Sequence, residues 1–212
     1  MKEADSYKIT FETWNKVADA YHEKFSDIDL YNDTYDLFCK LVNKESAKIL
    51  EIGCGPGNIT KYLLTKRPDF KITATDVAPN MIKLAKENNP GADCRIVDCR
   101  ELDKLEGAFD AVVCGFCLPY LSQDDCAKLI KDVASVLNEK GILYLSAIEG
   151  NYTNSGYETG SGGDKCYVYY YSEKYLSETL IKNNFSVTDV RHKHFAHSSH
   201  KSSSHIIILA QK

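Results

Sequence analysis

What the chain lacks narrows it first. No aliphatic run is longer than Ile206–Ala210, far short of the roughly 18 residues that a membrane-spanning helix needs. The opening residues, Met1 to Ser6, hold no apolar core of the kind a secretion signal carries, which points to a cytoplasmic protein. A basic surplus is missing too. The net charge is −4 and the pI about 5.9, whereas a dedicated nucleic-acid binder usually carries a basic face. Internal repeats and low-complexity tracts are absent. With 43% hydrophobic residues and so modest a charge, disorder is excluded as the main state. The 212 residues suit one domain, at roughly 100–200 residues per domain.

Eight cysteines are present, an even number that would permit disulfides. Without a secretion signal the compartment is reducing, and a chain of this size needs no staples. Cys39, Cys114 and Cys126 also lie in apolar runs, where a free thiol behaves as a small hydrophobe. Cys114-Gly115-Phe116-Cys117 has C-x-x-C spacing, but no second such pair accompanies it and no thioredoxin-like context surrounds it. Reduced, structural thiols are the expectation.

Apolar spacing predicts an amphipathic helix from Phe11 to Phe25, through Trp14, Val17, Ala18 and Tyr21, and a second from Tyr31 to Val42. Short apolar strands then alternate with helices. Strands are expected at Lys48–Ile52, Lys71–Thr75, Cys94–Val97, Phe109–Cys114 and Gly141–Ile148. Helices are expected at Ile59–Lys66, Pro79–Asn88 and Asp124–Leu137. This rhythm requires an α/β fold with a parallel sheet covered on both faces. Residues 151–165, rich in Gly, Ser, Thr and Asn, read as a mobile loop. A tyrosine run from Cys166 to Tyr171 leads to a helix capped by Ser172 and ending near Lys182. Ser186–His194 and His205–Ala210 read as strands joined by a serine-rich loop too short for a crossover helix, so they should pair antiparallel. The expected whole is a Rossmann-like, seven-stranded, mostly parallel sheet with a C-terminal antiparallel hairpin, helices on both faces and an N-terminal helical cap. As one domain it divides into a cap (1–46), a core (47–148) and a closing segment (149–212).

The chemistry sits where the first of these strands ends, in Glu51-Ile52-Gly53-Cys54-Gly55-Pro56-Gly57-Asn58. Glycines at alternate positions clear side chains from a backbone that a ligand must approach, and they permit positive φ. A dinucleotide fingerprint would need glycine where Asn58 stands, and a phosphate-binding P-loop would need Gly-Lys-Ser/Thr.

This segment resembles the first motif of the class I S-adenosylmethionine-dependent methyltransferases, an acidic residue followed by G-x-G-x-G. The likeness continues through Asp76-Val77 and Met81 after the second strand, Asp98-Cys99 after the third, and Phe109 to Phe116 at the fourth. It covers about half the chain. It implies an S-adenosylmethionine (SAM) site built from Glu51, Gly53, Cys54, Gly55 and Gly57. Asp76 would take the ribose hydroxyls, Val77 would follow it, and Met81 would lie on adenine. Asp98 and Cys99 would meet the adenine amine, and Cys114 would face the methionine end. The helix bearing Trp14, Asn15, Ala18 and Tyr21 is similar to that of the ubiquinone/menaquinone-biosynthesis enzymes, which implies that Trp14 and Tyr21 cap the cofactor.

A small-molecule acceptor is expected, in a pocket lined by Phe116, Tyr120 and Tyr169 and closed by the N-terminal helices and the 151–165 loop. The Asp/Asn-Pro-Pro-Tyr motif of many amino-group methyltransferases keeps only Pro119 and Tyr120, and Pro-Cys does not occur. No catalytic base stands out, and His194 would be a guess. Five histidines crowd the tail: His192, His194, His197, His200 and His205. Their irregular spacing in a serine-rich stretch predicts no tight metal site. No nucleic-acid partner is expected, and the chain should be a monomer or homodimer. The rival readings are a nicotinamide-dependent oxidoreductase, a protein or RNA methyltransferase, and a non-catalytic SAM-binding module.

Overall fold

The computed structural model describes residues 3–105, 107–160, 162–198 and 201–212. Seven strands form one sheet: β1 (Lys48–Ile52), β2 (Lys71–Asp76), β3 (Asp93–Ile96), β4 (Phe109–Cys114), β5 (Leu137–Ile148), β8 (Ser186–Ser198) and β9 (Lys201–Gln211). Their spatial order is β3-β2-β1-β4-β5-β9-β8. The first five run parallel, and β9 enters antiparallel between β5 and β8. The expected architecture therefore holds. β1 is the hinge of the topology, with β2 and β3 laid down to one side of it and β4 and β5 to the other. In such sheets the crevice for a ligand opens beyond the carboxyl ends of the strands at this switch point, here between β1 and β4.

Successive strand residues point to opposite faces, and both faces are buried. Leu50 and Val112 face a core built with Leu129, Ile130 and Leu176. Their neighbours Ile49 and Val113 face a second core with Phe38, Leu63 and Ile82. Ile206 and Ile208 join the first core, Ile207 and Leu209 the second. This two-sided burial explains why the strands read as continuous apolar runs rather than alternating ones. The covering helices are α3 (Asn32–Leu41), α4 (Asn58–Lys66), α5 (Pro79–Asn88), α6 (Gln123–Val136) and α7 (Glu173–Lys182). Ser122 caps α6 and Ser172 caps α7, each side chain accepting a backbone N–H of the first turn. Among the described residues no helix is long and apolar enough to cross a membrane.

Three expectations are corrected. The helix expected from Phe11 to Phe25 is two helices, α1 (Glu3–Lys16) and α2 (Ala18–Phe25), broken at Val17, whose ψ of 13° leaves the helical range. The 151–165 loop contains half of a hairpin. β6 (Gly156–Thr159) pairs antiparallel with β7 (Lys165–Val168), and Tyr157 faces Tyr167 across it with ring centroids 5.1 Å apart. Cross-strand aromatic pairs stabilise such a ribbon despite the surrounding glycines. The serine-rich tail loop is mostly strand, with Ser202, Ser203 and Ser204 paired to Ala196, Phe195 and His194. An antiparallel ladder uses backbone groups, so serines can extend it. His200 and the side chain of His197 lie outside the described residues.

Candidate active site

The glycine loop leaves β1 with left-handed backbone at Gly53 (φ 68°), Gly55 (φ 53°) and Gly57 (φ 84°). At Gly53 a Cβ would stand 2.9 Å from Cys117 Cβ, so the loop and the turn after β4 can touch only because the side chain is absent. The loop is pinned from below. Cys54 N donates to Thr75 O, and Gly57 N donates back to Cys54 O, both at 2.9 Å.

Asp76, the last residue of β2, ties this loop to the next one. Its Oδ2 accepts from Gly55 N and its Oδ1 from Ala78 N, each at 2.9 Å. Ala78 precedes α5, whose first residue is Pro79, a ring already set at the helical φ. Burial raises the Asp76 carboxyl against these amides. The two amides use only part of its acceptor capacity, because a carboxylate offers about four lone-pair positions.

A cavity opens over this junction. Gly53, Gly55 and Gly115 form its floor, and Asp76, Val77 and Met81 one end. Val97, Cys99, Phe116, Cys117, Tyr120 and Leu121 complete its walls. The roof is Phe11 and Trp14 from α1 with Tyr21 from α2. Trp14 meets Tyr21 edge-on at 5.4 Å between centroids. Burial and the nearby Asp76 push the Tyr21 phenol up to about 12. The roof is tied down at both ends. Asn80 donates from N and Nδ2 to Asn15 Oδ1 and O, both at 2.8 Å, while Tyr7 donates to Asp125 and accepts from Ser122 N.

Ten of the sixteen site residues expected from the sequence line this cavity: Trp14, Tyr21, Gly53, Gly55, Asp76, Val77, Met81, Cys99, Phe116 and Tyr120. Six do not. Glu51 lies buried beneath the loop, where Thr60 of α4 donates to its Oε2 and its Oε1 has no partner. Burial pushes its carboxyl up to about 8, with Asp76 adding to the rise. Cys54 is buried in the core below. Gly57 starts α4, and a Cβ there would stand 2.2 Å from Asn89 Nδ2, so it serves packing. Cys114 is fully buried inside the sheet.

Asp98 is already engaged. Its Oδ1 accepts from Arg100 N, and its Oδ2 lies 2.6 Å from the Arg100 guanidinium. Burial would raise this carboxyl, but the bonds to Arg100 outweigh it and hold it below the ordinary value. Arg100 in turn sits 4.3 Å from the Tyr7 ring and 5.3 Å from that of Phe11, so Asp98 braces α1 from below. Tyr169 is buried elsewhere. It stacks on Tyr152 at 5.9 Å, and its N–H donates to Pro119 O.

Five lining residues were missed: Phe11, Val97, Gly115, Cys117 and Leu121. Two carried a readable signal, because Gly115 ends β4 as Gly53 ends β1 and Phe11 lies one helical turn before Trp14. Cys117 Sγ lies 3.5 Å from Cys99 Sγ. Their mutual hydrogen bond and burial raise the Cys99 thiol well above the ordinary value.

The hairpin does not line the cavity as expected; it straps the outside of the roof. Thr13 Oγ1 donates to Lys165 O at 2.7 Å, Tyr167 N donates to Thr10 Oγ1 at 3.0 Å, and Lys16 pairs with Asp164. Its Tyr167 packs against the first core, and the cavity lining is left to Tyr120.

A second chamber adjoins the first. It shares Tyr21, Gly53, Gly55, Gly115 and Phe116, then continues along Phe25, Tyr31, Tyr35 and Tyr62. Phe116 stands between the two in left-handed backbone (φ 57°), with its N–H donating to Ser146 Oγ at 2.8 Å. A bulky residue in this conformation is strained, and such strain is found at functional sites.

Of the tail histidines, His192 bridges Glu149 and Glu173 at 3.1 Å each. Burial would lower its pKa, but the two carboxylates outweigh burial and raise it. His194 is exposed and lines neither chamber. Among the described residues no three His, Cys, Asp or Glu side chains gather as a metal would require.

Comparison with known proteins places this geometry. Residues 49–141 match the family described as methyltransferase domain. Malonyl-[acyl-carrier protein] O-methyltransferase of Acetivibrio thermocellus is 32% identical over 108 residues, 50% of this chain and 37% of that protein. Ubiquinone biosynthesis O-methyltransferase of Xanthomonas campestris is 32% identical over 107 residues, 48% of this chain and 43% of that protein. The chain thus spans less than half the length of either relative. Magnesium protoporphyrin IX methyltransferase from Synechocystis PCC 6803, solved with bound SAM, superposes with a TM-score of 0.72 at 16% identity, covering 100% of this chain and 98% of that one. At that identity the likeness is one of fold. Motif, topology and family agree, and the segment from 49 to 141, with the glycine loop and Asp76 inside it, belongs to the methyltransferase-domain family.

Proposed function

We propose that this chain is a SAM-dependent methyltransferase acting on a small-molecule acceptor. The observation that carries the reading is Asp76. Its carboxylate faces a cavity floored by bare glycine backbone, and the two amides it accepts from leave lone pairs for the vicinal hydroxyls of a ribose. Met81 and Val97 offer apolar surface to the base beside that ribose, and Gly53 and Gly115 clear the way for the chain beyond it. When bound, the sulfonium supplies an activated methyl group with a neutral leaving group.

The protein's own contribution is then alignment and exclusion of water. Holding two reactants in an attack geometry supplies a large part of an enzyme's acceleration. Trp14, Tyr21 and Phe11 seal the roof, and Phe116 divides the cofactor chamber from the second one. A small acceptor is favoured because that second chamber is lined by the rings of Phe25, Tyr31, Tyr35, Tyr62 and Phe116, and because the acidic chain offers little to RNA. Eight free thiols suit a reducing compartment, which we take to be the cytoplasm. Calorimetry with S-adenosylhomocysteine and with NAD tests the reading: the first should bind and the second should not. Binding of NAD alone would overturn it.

A further inference from the structure

Behind the second chamber lies a buried polar pair that the cofactor cavity does not use. Tyr31 Oη is 2.7 Å from His205 Nδ1, and His205 Nε2 is 2.7 Å from Ser203 Oγ. Tyr31 and His205 are 7% and 6% exposed. Tyr31 comes from the turn before α3 and His205 from β9, 174 residues apart. Phe116, the residue dividing the chambers, packs on both rings, 5.0 Å from Tyr31 and 4.9 Å from His205. In the tautomer whose Nε2–H donates to Ser203 Oγ, His205 Nδ1 accepts from the Tyr31 hydroxyl.

The chamber's walls limit what can enter. Tyr31, Tyr35, Tyr62, Phe25 and Phe116 offer ring faces and edges, and no Lys, Arg, Asp or Glu is among its described lining residues. A carboxylate acceptor would meet no countercharge there, and a cationic amine would lose its hydration without one. A flat, uncharged aromatic acceptor is matched by ring packing. Its hydroxyl needs a base only as strong as imidazole can act, since phenols ionise near 10 and aliphatic alcohols far higher.

We propose that the second chamber takes a small aromatic alcohol and that Tyr31 and His205 form its proton exit. This rests on the methyl-transfer reading. The acceptor oxygen forms its bond to the methyl carbon while the methyl–sulfur bond breaks, the electron pair staying on sulfur. The phenolic proton passes to Tyr31 Oη as the tyrosine's own proton moves to His205 Nδ1. The imidazolium later returns it to solvent. Tyr31 touches the acceptor, and His205 is a positioning residue that acts through it.

The test titrates 4-nitrophenol, whose ionised form absorbs in the visible, into protein saturated with S-adenosylhomocysteine at neutral pH. Wild-type protein should bind it with the phenolate band enhanced over free probe. His205→Gln and Tyr31→Phe should bind the probe within about threefold of wild type but lose the enhancement. Ser203→Ala, which releases the tautomer without touching the ring, should lose part of it. Unchanged affinity for S-adenosylhomocysteine marks each variant as folded. If 4-nitrophenol fails to bind while S-adenosylhomocysteine binds, the acceptor class is wrong and the methyl-transfer reading stands. Equal enhancement in all variants overturns the proton exit. Failure of S-adenosylhomocysteine itself to bind overturns both.

Discussion

Trp14 and Tyr120 meet edge to face, ring centroids 5.2 Å apart and planes at 63°. The contact joins the roof helix to the turn after β4, so the two walls of the cofactor cavity are held by one aromatic pair worth about 0.5–1.5 kcal/mol beyond its buried area. Trp14 is the only tryptophan in the sequence, and its Nε1 is buried without a partner. Its emission should therefore shift when S-adenosylhomocysteine enters. Trp14→Phe should abolish that signal and weaken affinity severalfold by calorimetry; a fluorescence titration that stays flat in wild type would place the ligand elsewhere.

Asp76→Ala removes the carboxylate that both faces the cavity and holds the Gly55 and Ala78 amides. Affinity for S-adenosylhomocysteine should fall by about 1.5–3 kcal/mol, the scale of lost hydrogen bonds to a charged group. Asp76→Asn keeps one acceptor and should fall between. Calorimetric values equal to wild type in both variants would sink the ribose assignment.

Glu51 makes stability depend on pH. Its folded pKa of about 8 exceeds the ordinary carboxylate value, so the folded protein keeps a proton that the unfolded chain releases. The stability this group contributes is complete below the ordinary value and drains away as pH climbs to about 8. Glu51→Gln should flatten that decline and raise the ligand-free protein's stability at pH 8 by on the order of 3 kcal/mol. Denaturant midpoints across the range measure it, and parallel curves for the two proteins would contradict the burial argument.

The hairpin strap predicts an order of loosening. Thr10→Val with Thr13→Val removes two bonds from α1 to β7 and should cost roughly 1–3 kcal/mol of local stability. Amide exchange across 3–16 should quicken while β1 and β4 stay protected. Adding S-adenosylhomocysteine should restore protection to α1 more than to the hairpin, because only α1 lines the cavity. Equal protection of both segments would mean that the hairpin takes part in closure.

Much of this was readable in advance, for identifiable reasons. β1 and β4 have the bounds expected from the sequence because each run, Lys48–Ile52 and Phe109–Cys114, stops at a glycine and stays mostly apolar despite Glu51 and Asp110. Asp76 was readable because it follows such a strand at a fixed distance from the glycine loop. The break at Val17 was not, since an amphipathic stripe continues through both helices and only the backbone turns. Tyr169 and Tyr120 look alike in sequence. Which one lines the cavity depends on how the hairpin lies over α1, a contact between segments more than 150 residues apart. The pairing of Asp98 was not readable, because its partner, Arg100, stands two places on and reads as surface charge.

β9 lies between β5 and β8, although β8 precedes it in the chain. On the ribosome, β8 therefore emerges with its neighbour in the sheet still unmade. It has no partner in the sheet until the eleven residues of β9 have followed and paired with β5. Until then the edge of β5 stays open, and with it the apolar strip that Ile206 to Leu209 will cover. The nascent chain thus carries a nearly complete cofactor core before the Tyr31–His205 hydrogen bond behind the second chamber can form, since His205 arrives only with β9. Chaperone dependence during synthesis should trace to that interval, when an unpaired strand edge is most open to the wrong partner.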